Sequence, residues 1–335
     1  MPDRKPIEDA TVWTRGSYND PSMYTYELDQ DQTAEIAVAA KALQSRNIPA
    51  HELRRDDFPL PRTGPLLDRL HSDLEDGRGF ALLRGWPAAD YSYAVNLAAF
   101  CGITAHLGDI VIQNYEGQSS VDVRNENVPY THESRGYRSN KLLPFHTDGA
   151  DLAALLCLGV AARGGLSIIA SATQVFNTIL IERPEALTLL ERGFFHHRRR
   201  QHPEGEDPVS AQRIPVFAFR KGVLHCCYNR NPIDWVEKEG VNLSRAEKSV
   251  LDYFDSVVER PELHVSMQLQ IGDMQFLNNF VILHSRTEFT DDETHKRHLV
   301  RLWAEDPGSR RIGESLLDLY VPGSSRYAAA PQDGI

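Results

Sequence analysis

The chain has 335 residues, of which 41% are hydrophobic and 25% are charged, so its composition predicts a packed globular core. The formal net charge is −11, from 36 lysines and arginines against 47 aspartates and glutamates. This balance argues against a nucleic-acid-binding protein, which would carry a basic face, and against docking on an anionic membrane.

The first residues, MPDRKPIEDATVW, contain no apolar signal-peptide core, and no apolar run approaches the ~18 residues that span a bilayer. The four cysteines (Cys101, Cys157, Cys226 and Cys227) form no CxxC pair. We therefore expect a cytoplasmic protein with reduced, buried thiols. A vicinal disulfide between Cys226 and Cys227 is the alternative.

Apolar periodicity predicts helices in the N-terminal third of the chain and mostly strands after it. Predicted helices span 33–45, 65–77, 93–108, 173–193 with a break at Pro184, and 242–260, where Ser244 and Glu247 form a capping box. Predicted strands span 79–86, 151–160, 164–171, a hairpin in 213–230 around Lys221-Gly222, two strands in 264–284, and 297–304.

Two segments lack this periodicity. Residues 111–141 form a long irregular stretch, which is more often functional than empty, and we expect a lid there. Its candidate residues are Arg124, His132, Arg135 and Arg138. The locally basic run FFHHRRRQHPEGEDP, 194–208, is predicted to be a solvated loop, with part of the substrate entrance as the alternative.

Many short strands with helices outside them favour a mainly β fold, a sandwich or jelly roll with surrounding helices. The alternative is an open α/β sheet, but the regular strand–helix alternation that it needs fails after residue 200. We expect an N-terminal arm and helical cover in 1–74, one functional domain in 75–320 and a C-terminal tail in 321–335.

The stretch LLPFHTDGADLAALLCL places His146 and Asp148 beside an apolar strand. Residues i and i+2 of a strand point to the same face, so both side chains can reach one metal ion. A further histidine, His284, ends the apolar strand FLNNFVIL. This ligand set suits non-haem Fe(II) oxygenases. The alternatives are a hydrogen-bonded core histidine, a turn-capping aspartate and an ordinary histidine.

Arg297 and Arg301 are four residues apart, so in a strand they share a face. Paired arginines on the inner side of a core strand need anions, and the guanidinium fork matches carboxylates. A dicarboxylate co-substrate would satisfy them. The alternative is an ion pair with Glu288 or Asp291.

In their order and spacing, the motifs FHTDGAD, GGLS, GDMQFLNNFVILHSRTEF and RHLVRLW resemble those of the taurine-dioxygenase-like family of Fe(II)/2-oxoglutarate oxygenases. The family also includes clavaminate-synthase-like and γ-butyrobetaine-hydroxylase-like enzymes, and the resemblance covers roughly residues 75–305. It implies a double-stranded β-helix core and a reaction that consumes 2-oxoglutarate and O₂ and releases succinate and CO₂.

Carried over by position, the resemblance implies that Fe(II) is bound by His146, Asp148 and His284. It implies that Ser167 and Arg297 bind the distal carboxylate of 2-oxoglutarate. Halogenating relatives have a small residue at the position of Asp148, so the resemblance predicts oxygenation instead. Hydroxylation is the default outcome, and desaturation, epoxidation or cyclisation would use the same ligands.

The resemblance also indicates a small-molecule substrate. Arg301 matches a position that often meets an acidic substrate group, and Gln113 resembles a polar position that lines the substrate site of amino-acid-oxidising relatives. A surface loop residue is the alternative for Gln113. We therefore expect an anionic or amino-acid-like substrate. Two other classes remain open, a cupin-like metal protein without 2-oxoglutarate and a non-catalytic binding protein.

Overall fold

The chain forms helices close to the positions that its apolar periodicity predicts. The computed structural model describes residues 4–131, 135–202, 204–220 and 222–306. Within these ranges the α-helices are α1 (Gln30–Arg46), α2 (Gly64–Glu75), α3 (Tyr93–Thr104), α4 (Ala172–Glu182), α5 (Ala186–Arg192), α6 (Arg230–Trp235) and α7 (Arg245–Val258). The expected tail, 321–335, and the residues His132 and Lys221 lie outside the described ranges.

The strands make two large sheets and two short ribbons. In the described residues they are β1 (Thr25–Glu27), β2 (Phe80–Arg84), β3 (Asp109–Val111), β4 (Ser120–Val123), β5 (Leu143–His146), β6 (Leu152–Gly159), β7 (Arg163–Gly164), β8 (Ser167–Ser171), β9 (Phe217–Arg220), β10 (Val223–Cys226), β11 (His264–Met267), β12 (Met274–Asn278), β13 (Ile282–Arg286), β14 (Phe289–Thr290) and β15 (His298–Glu305).

The larger sheet has the order β1-β2-β12-β6-β15-β3, with β4 also paired to β15. The smaller sheet has the order β11-β8-β13-β5, and the ribbons are β9-β10 and β7-β14. In the larger sheet β1 pairs with β2 in parallel, and the strand pairs from β2 onward are antiparallel. The prediction of a mainly β fold with surrounding helices is confirmed, and the open α/β alternative is wrong.

The two large sheets share one apolar core. Side chains of both sheets meet in a single buried cluster that includes Phe80, Leu82, Leu277 and Leu299 from the larger sheet and Ile169, Val265 and Ile282 from the smaller one. Alternate residues of β2, such as Ala81 and Leu83, pack on the opposite side against α1, α2 and α3. Burial on both faces explains why this strand reads as a continuous apolar run.

Helix α7 begins at the predicted capping box. The Ser244 hydroxyl accepts the Glu247 N–H, and the Glu247 carboxylate accepts the Ser244 N–H at 2.8 Å. Together they satisfy main-chain donors that the first helical turn leaves free. The apolar face of the helix, with Leu251 and Phe254 fully buried, packs into a second core cluster together with α4 and α5.

The segment 264–284 contains three strands where the sequence predicts two. The chain leaves the larger sheet at Asn278 and enters the smaller one at Ile282. Asn278 accepts the Phe280 N–H at 3.0 Å, and Asn279 donates to the Ala150 carbonyl at 2.9 Å. These hydrogen bonds stabilise a turn inside an otherwise apolar run. The change of sheet brings His284 opposite β5.

The predicted hairpin around residues 221–222 is present as β9 and β10. All four cysteines are buried free thiols, so Cys226 and Cys227 form no vicinal disulfide. Burial raises the pKa of Cys101 and Cys157 to about 12, which makes these thiols poor nucleophiles. Among the described helices, none has the length and apolar character needed to cross a membrane.

Candidate active site

Two histidines meet where β13 and β5 pair. His284 is the direct antiparallel partner of His146, and their ring centroids lie 4.2 Å apart. Residues directly opposite in antiparallel strands project from the same face of the sheet. The pairing of β5 with β13 therefore places both imidazoles side by side, although the two histidines lie 138 positions apart in the sequence (284 − 146).

Asp148 joins this pair just beyond the end of β5. Its main-chain N–H donates to the Asn279 side chain at 3.1 Å, and the adjacent Thr147 N–H donates to the Tyr228 carbonyl at 2.7 Å. One ligand atom from each of His146, Asp148 and His284 lies within 4.8 Å of the other two. The structure therefore brings together the three predicted ligands.

Arg301 and Trp303 hold the Asp148 carboxylate. The Arg301 guanidinium lies 3.2 Å from Oδ1, and the Trp303 indole N–H donates to Oδ2 at 2.9 Å. Burial opposes the negative charge of Asp148, but the positive charge of Arg301 outweighs it and the Trp303 hydrogen bond adds to this effect, so the pKa of Asp148 lies well below its usual value. Asp148 is therefore ionised at neutral pH.

Both imidazoles are neutral at neutral pH. Burial lowers the pKa of His146, and burial together with the neighbouring His146 lowers the pKa of His284 to about 3. The Nδ1 of His146 lies 2.8 Å from the Pro144 carbonyl, and a hydrogen bond there assigns the proton to Nδ1 and leaves Nε2 free.

The donor set fits a divalent metal ion. It offers two neutral imidazole nitrogens and one ionised carboxylate, close together and almost fully enclosed. The Nε2 of His284 is 3.8 Å from Oδ2 of Asp148, a separation that one ion can bridge. Imidazole with carboxylate is the ligand combination that Fe(II) accepts, and three protein ligands leave coordination positions for other molecules.

Arg297 lies beside the double glycine that precedes Ser167. Its side chain is buried, and its Nη1 atom has no hydrogen-bond partner among the residues that the structure describes. Burial lowers the pKa of Arg297 to about 10, so it remains charged near neutral pH. A buried guanidinium with an unused donor is costly unless an anion pairs with it, so the residue fits a carboxylate ligand.

Glu288 and Asp291, the two acidic residues considered as ion-pair partners of Arg297, make other contacts. Glu288 pairs with Lys141 at 2.7 Å, and Asp291 accepts the main-chain N–H of Arg297 at 2.9 Å. Among the described residues no carboxylate lies within ion-pair distance of the Arg297 guanidinium, so Arg297 does not form the alternative ion pair with Glu288 or Asp291, whereas Arg301 pairs with Asp148 at 3.2 Å. Ser167 is buried two residues after Gly165 and donates to Gln275 at 2.9 Å.

The absence of a side chain at Gly165 leaves room for the side chain of Arg297. Gly165 has φ +73°, and a Cβ atom there would lie 3.0 Å from both Cδ and Nε of Arg297. Glycine is the residue that adopts this conformation without strain and without that contact. The double glycine therefore sets how closely the chain approaches the arginine.

Gln113 is buried and supports Arg301. Its carbonyl oxygen accepts the Nε–H of Arg301 at 2.8 Å, and its amide donates to the main-chain carbonyls of Ser119 and Arg301. The Arg301 guanidinium also stacks on Trp303, 4.6 Å from the ring centroid. The two predicted substrate residues thus contact each other next to Asp148.

A small cavity of about 50 Å³ opens beside Asp148. Side chains that the sequence analysis did not assign to the site line it, including His196, Arg199, Tyr228 and Trp303. Trp303 could have been found, because it lies two residues after Arg301 in β15 and shares its face.

The prediction of a solvated loop is wrong for the start of 194–208. Phe194, His196 and His197 are buried, and Arg199 lines the cavity, so the alternative of an entrance segment describes these residues better. The expected lid region contributes Arg135 to this cavity. Arg124 and Arg138 line a larger neighbouring cavity of about 620 Å³, within the size range of small-molecule sites.

The chain is similar to known proteins both in its match to a family model and in its identity to individual relatives. Residues 43–303 match the model of the "Taurine catabolism dioxygenase TauD, TfdA family". FR-33289 synthase of Streptomyces rubellomurinus is 38% identical over 93% of this chain and 94% of that protein. Taurine hydroxylase-like protein SAT17 of Stachybotrys chartarum is 27% identical over 88% of this chain and 79% of that protein.

Solved structures show the same fold. A crystal structure of asparagine oxygenase with Fe(II), 3-hydroxyasparagine and succinate superposes with a TM-score of 0.61 at 19% identity. The match covers 84% of this chain and 94% of the asparagine oxygenase chain.

Proposed function

Because this chain belongs to the TauD, TfdA family and is an Fe(II)/2-oxoglutarate-dependent oxygenase, we propose that it hydroxylates an unactivated C–H bond of a small anionic molecule. Succinate and CO₂ would be the co-products. We also propose that the two packed sheets are the halves of a double-stranded β-helix, since their inner faces share one core.

We assign Fe(II) to His146, Asp148 and His284, whose ligand atoms and protonation states fit the ion. Bound there with 2-oxoglutarate, the metal would supply the activation of O₂ that side chains alone do not provide. The chain contributes the geometry. Trp303 and Arg301 fix the orientation of the Asp148 carboxylate, and the contact with Pro144 fixes the tautomer of His146.

Arg297 and Ser167 are assigned to the distal carboxylate of 2-oxoglutarate. The unused donor of Arg297 supports this, because a buried guanidinium gains most from a bidentate anion. The Ser167 hydroxyl, which donates to Gln275 here, could turn to an added carboxylate with little rearrangement. The stacking of Arg297 over Phe289, at 5.2 Å, holds the guanidinium plane in place.

One observation carries the proposal of an anionic substrate. The cavity that Asp148 lines is also lined by Arg135 and Arg199, and Arg301 lies directly beside it. A cavity with this charge concentrates anions and disfavours cations. Arg301 stays our candidate for a substrate contact, and Gln113 is proposed to act by holding Arg301 in position.

The relatives support the reaction type. The asparagine oxygenase structure contains 3-hydroxyasparagine with succinate, which is a hydroxylated amino acid beside the co-product. A relative over most of this chain is described as taurine hydroxylase-like. Both descriptions name a hydroxylation or its product, and they favour hydroxylation over desaturation, epoxidation or cyclisation here.

The test is a substrate screen. The iron-loaded protein is incubated with 2-oxoglutarate, O₂ and a panel of small carboxylates, sulfonates, phosphonates and amino acids, and succinate is measured. We expect an anion to raise succinate formation above the uncoupled rate and to gain one oxygen atom by mass spectrometry. Stimulation by cationic or neutral molecules alone would contradict the anionic assignment, and a product that has lost two hydrogens would replace hydroxylation by desaturation.

A further inference from the structure

Two arginines face the cavity, Arg135 and Arg199. Among the described residues neither guanidinium has a carboxylate within 4.0 Å. Arg135 donates from Nη2 to the main-chain carbonyl of Gln113 at 3.2 Å, and its buried Nε atom has no hydrogen-bond partner in the described part of the chain. The ion pairs that the structure gives to neighbouring arginines, such as Arg198 with Glu206 at 2.9 Å, are missing at these two positions.

The local charges do not balance. Burial, together with the like charges of Arg199 and Arg301, lowers the pKa of Arg135 to about 9, so it still carries its proton near neutral pH. Within the described residues the negative group among these guanidiniums is Asp148, which Arg301 already contacts and which we assign to the metal. In this part of the chain three cations therefore share one carboxylate, and such an arrangement is costly unless a ligand supplies negative charge.

The loaded site would keep an excess of positive charge. Fe(II), Arg297, Arg301, Arg135 and Arg199 would together bring six positive charges, whereas 2-oxoglutarate and Asp148 would bring three negative ones. Among the described residues Arg135 and Arg199 have no carboxylate partner, so a substrate group with two negative charges fits this cavity better than a monoanion does.

The two arginines come from segments that meet at the entrance. Arg135 belongs to the irregular 111–141 segment, and Arg199 follows β-bridged residues of the 194–208 segment with φ +53°. Both side chains line the inner cavity beside Asp148 and also the outer cavity of about 620 Å³. They therefore lie at the passage between the outside and the candidate metal site.

We propose that Arg135 and Arg199 bind a doubly charged oxyanion group of the substrate and hold it at this passage, with the carbon to be oxidised directed inward. The chemical class is a phosphate ester, a phosphonate or a dicarboxylate, all of which present several oxygens to two guanidinium forks. This inference rests on the proposed function, because it names the substrate class of the same site.

The first experiment compares two anions of equal shape and different charge. Binding of methyl phosphate and methyl sulfate to the purified full-length chain is measured by calorimetry at pH 7.5, with 2-oxoglutarate saturating. A phosphate ester has a second pKa of about 6 and is doubly charged there, whereas methyl sulfate carries a single charge. We expect methyl phosphate to bind about tenfold more tightly or better. Equal affinities would overturn the proposal without any variant having to fold.

The second experiment removes each cation. R135Q and R199Q should each reduce the preference for methyl phosphate to about twofold or less. R138Q is the matched control, because Arg138 lines the outer cavity but pairs with Glu126 at 2.6 Å, and it should keep the preference. Retention of the preference in R135Q and R199Q would contradict the proposal. Methylphosphonate and malonate, titrated in the same way, distinguish phosphonates and dicarboxylates as the source of the charge.

The failure of this inference is separable from failure of the proposed function. Anion binding is read from the heat that methyl phosphate and methyl sulfate release, whereas the proposed function is read from the absorption band of the iron-loaded protein with 2-oxoglutarate. A band in the wild type with no preference for methyl phosphate would leave the oxygenase assignment in place and remove the doubly charged substrate.

Discussion

His284 and His146 are direct partners in the antiparallel pairing of β13 with β5, which sets their rings 4.2 Å apart. A shift of this pairing by one residue would turn one imidazole to the opposite face of the sheet. The metal site therefore depends on strand register as well as on the identity of its ligands. The turn at 279–281, between β12 and β13, fixes that register through Asn278 and Asn279.

Trp303→Phe should weaken metal binding. The substitution removes the indole N–H that donates to Oδ2 of Asp148 at 2.9 Å while it keeps an aromatic ring. Loss of such a supporting hydrogen bond costs about 10–100-fold in metal affinity. Anaerobic Fe(II) titration measures it. Trp86→Phe is the control, because that indole donates to Asn96 outside the site, and it should leave Fe(II) affinity unchanged. Equal Fe(II) affinity in both variants would refute the role of Trp303.

Arg297→Gln should weaken 2-oxoglutarate binding and leave Fe(II) binding nearly intact. The variant loses the charged donor whose Nη1 atom is unpaired here, and a charge-assisted hydrogen bond contributes about 1.5–3 kcal/mol, or roughly 10–150-fold in affinity. The Kd for 2-oxoglutarate, measured on the iron-loaded protein, reports it. Arg260→Gln removes an exposed arginine paired with Glu182 and serves as the control. A wild-type Kd in Arg297→Gln would show that another residue holds the co-substrate.

Gly165→Ala should affect both stability and co-substrate affinity. The added Cβ meets Arg297 at 3.0 Å, and φ +73° is strained for alanine at a cost of about 1–2 kcal/mol. Gly240→Ala isolates the backbone effect, because Gly240 has φ +82° and open space around its missing Cβ. We expect urea unfolding to show comparable losses of unfolding free energy in Gly165→Ala and Gly240→Ala. We expect weaker 2-oxoglutarate binding in Gly165→Ala alone. Equal affinities for 2-oxoglutarate in the two variants would contradict the contact with Arg297.

Glu247 should make the stability of the protein depend on pH in the acid range. Burial raises the pKa of Glu247, but the hydrogen bonds with Ser244 and Arg213 outweigh this and lower it to about 2, from an ordinary value of 4.5. A depressed folded-state pKa contributes stability above about pH 4.5 that is lost as the pH falls toward 2. Glu247→Gln should therefore be less stable than the wild type at pH 6, by about 1–3 kcal/mol, and the gap should close in acid. Urea unfolding at several pH values measures the gap, and a gap that is constant with pH would contradict this account.

Much of this architecture was predictable because it depends on local patterns. The capping box at Ser244 and the i, i+2 relation of His146 and Asp148 can be read over a few residues. The division of this segment into β12, which ends at Asn278, and β13, which begins at Ile282, was not predicted because the apolar run continues through the turn between them. The strand ends where the asparagine side chain makes its hydrogen bond.

The arginines of the cavity show the limit of pattern reading. Arg199 lies in a run whose basic composition predicted solvent, yet the chain carries the neighbouring Phe194 and His196 into the interior. Its position beside Asp148 results from tertiary packing of two irregular segments, and neither segment has a period that shows which face is inside. Arg301 was predicted to face an anion, and the structure supplies one within the chain, the carboxylate of Asp148.

The most direct test of the central claim is anaerobic visible absorption of the purified protein, titrated with Fe(II) and then with 2-oxoglutarate. The account predicts a charge-transfer band that appears when both are present and is lost in His284→Ala, while Arg260→Gln keeps it. A protein that binds Fe(II) but shows no band with 2-oxoglutarate would contradict the assignment of Arg297 and Ser167. A protein that does not bind Fe(II) would contradict the assignment of His146, Asp148 and His284 as the metal site.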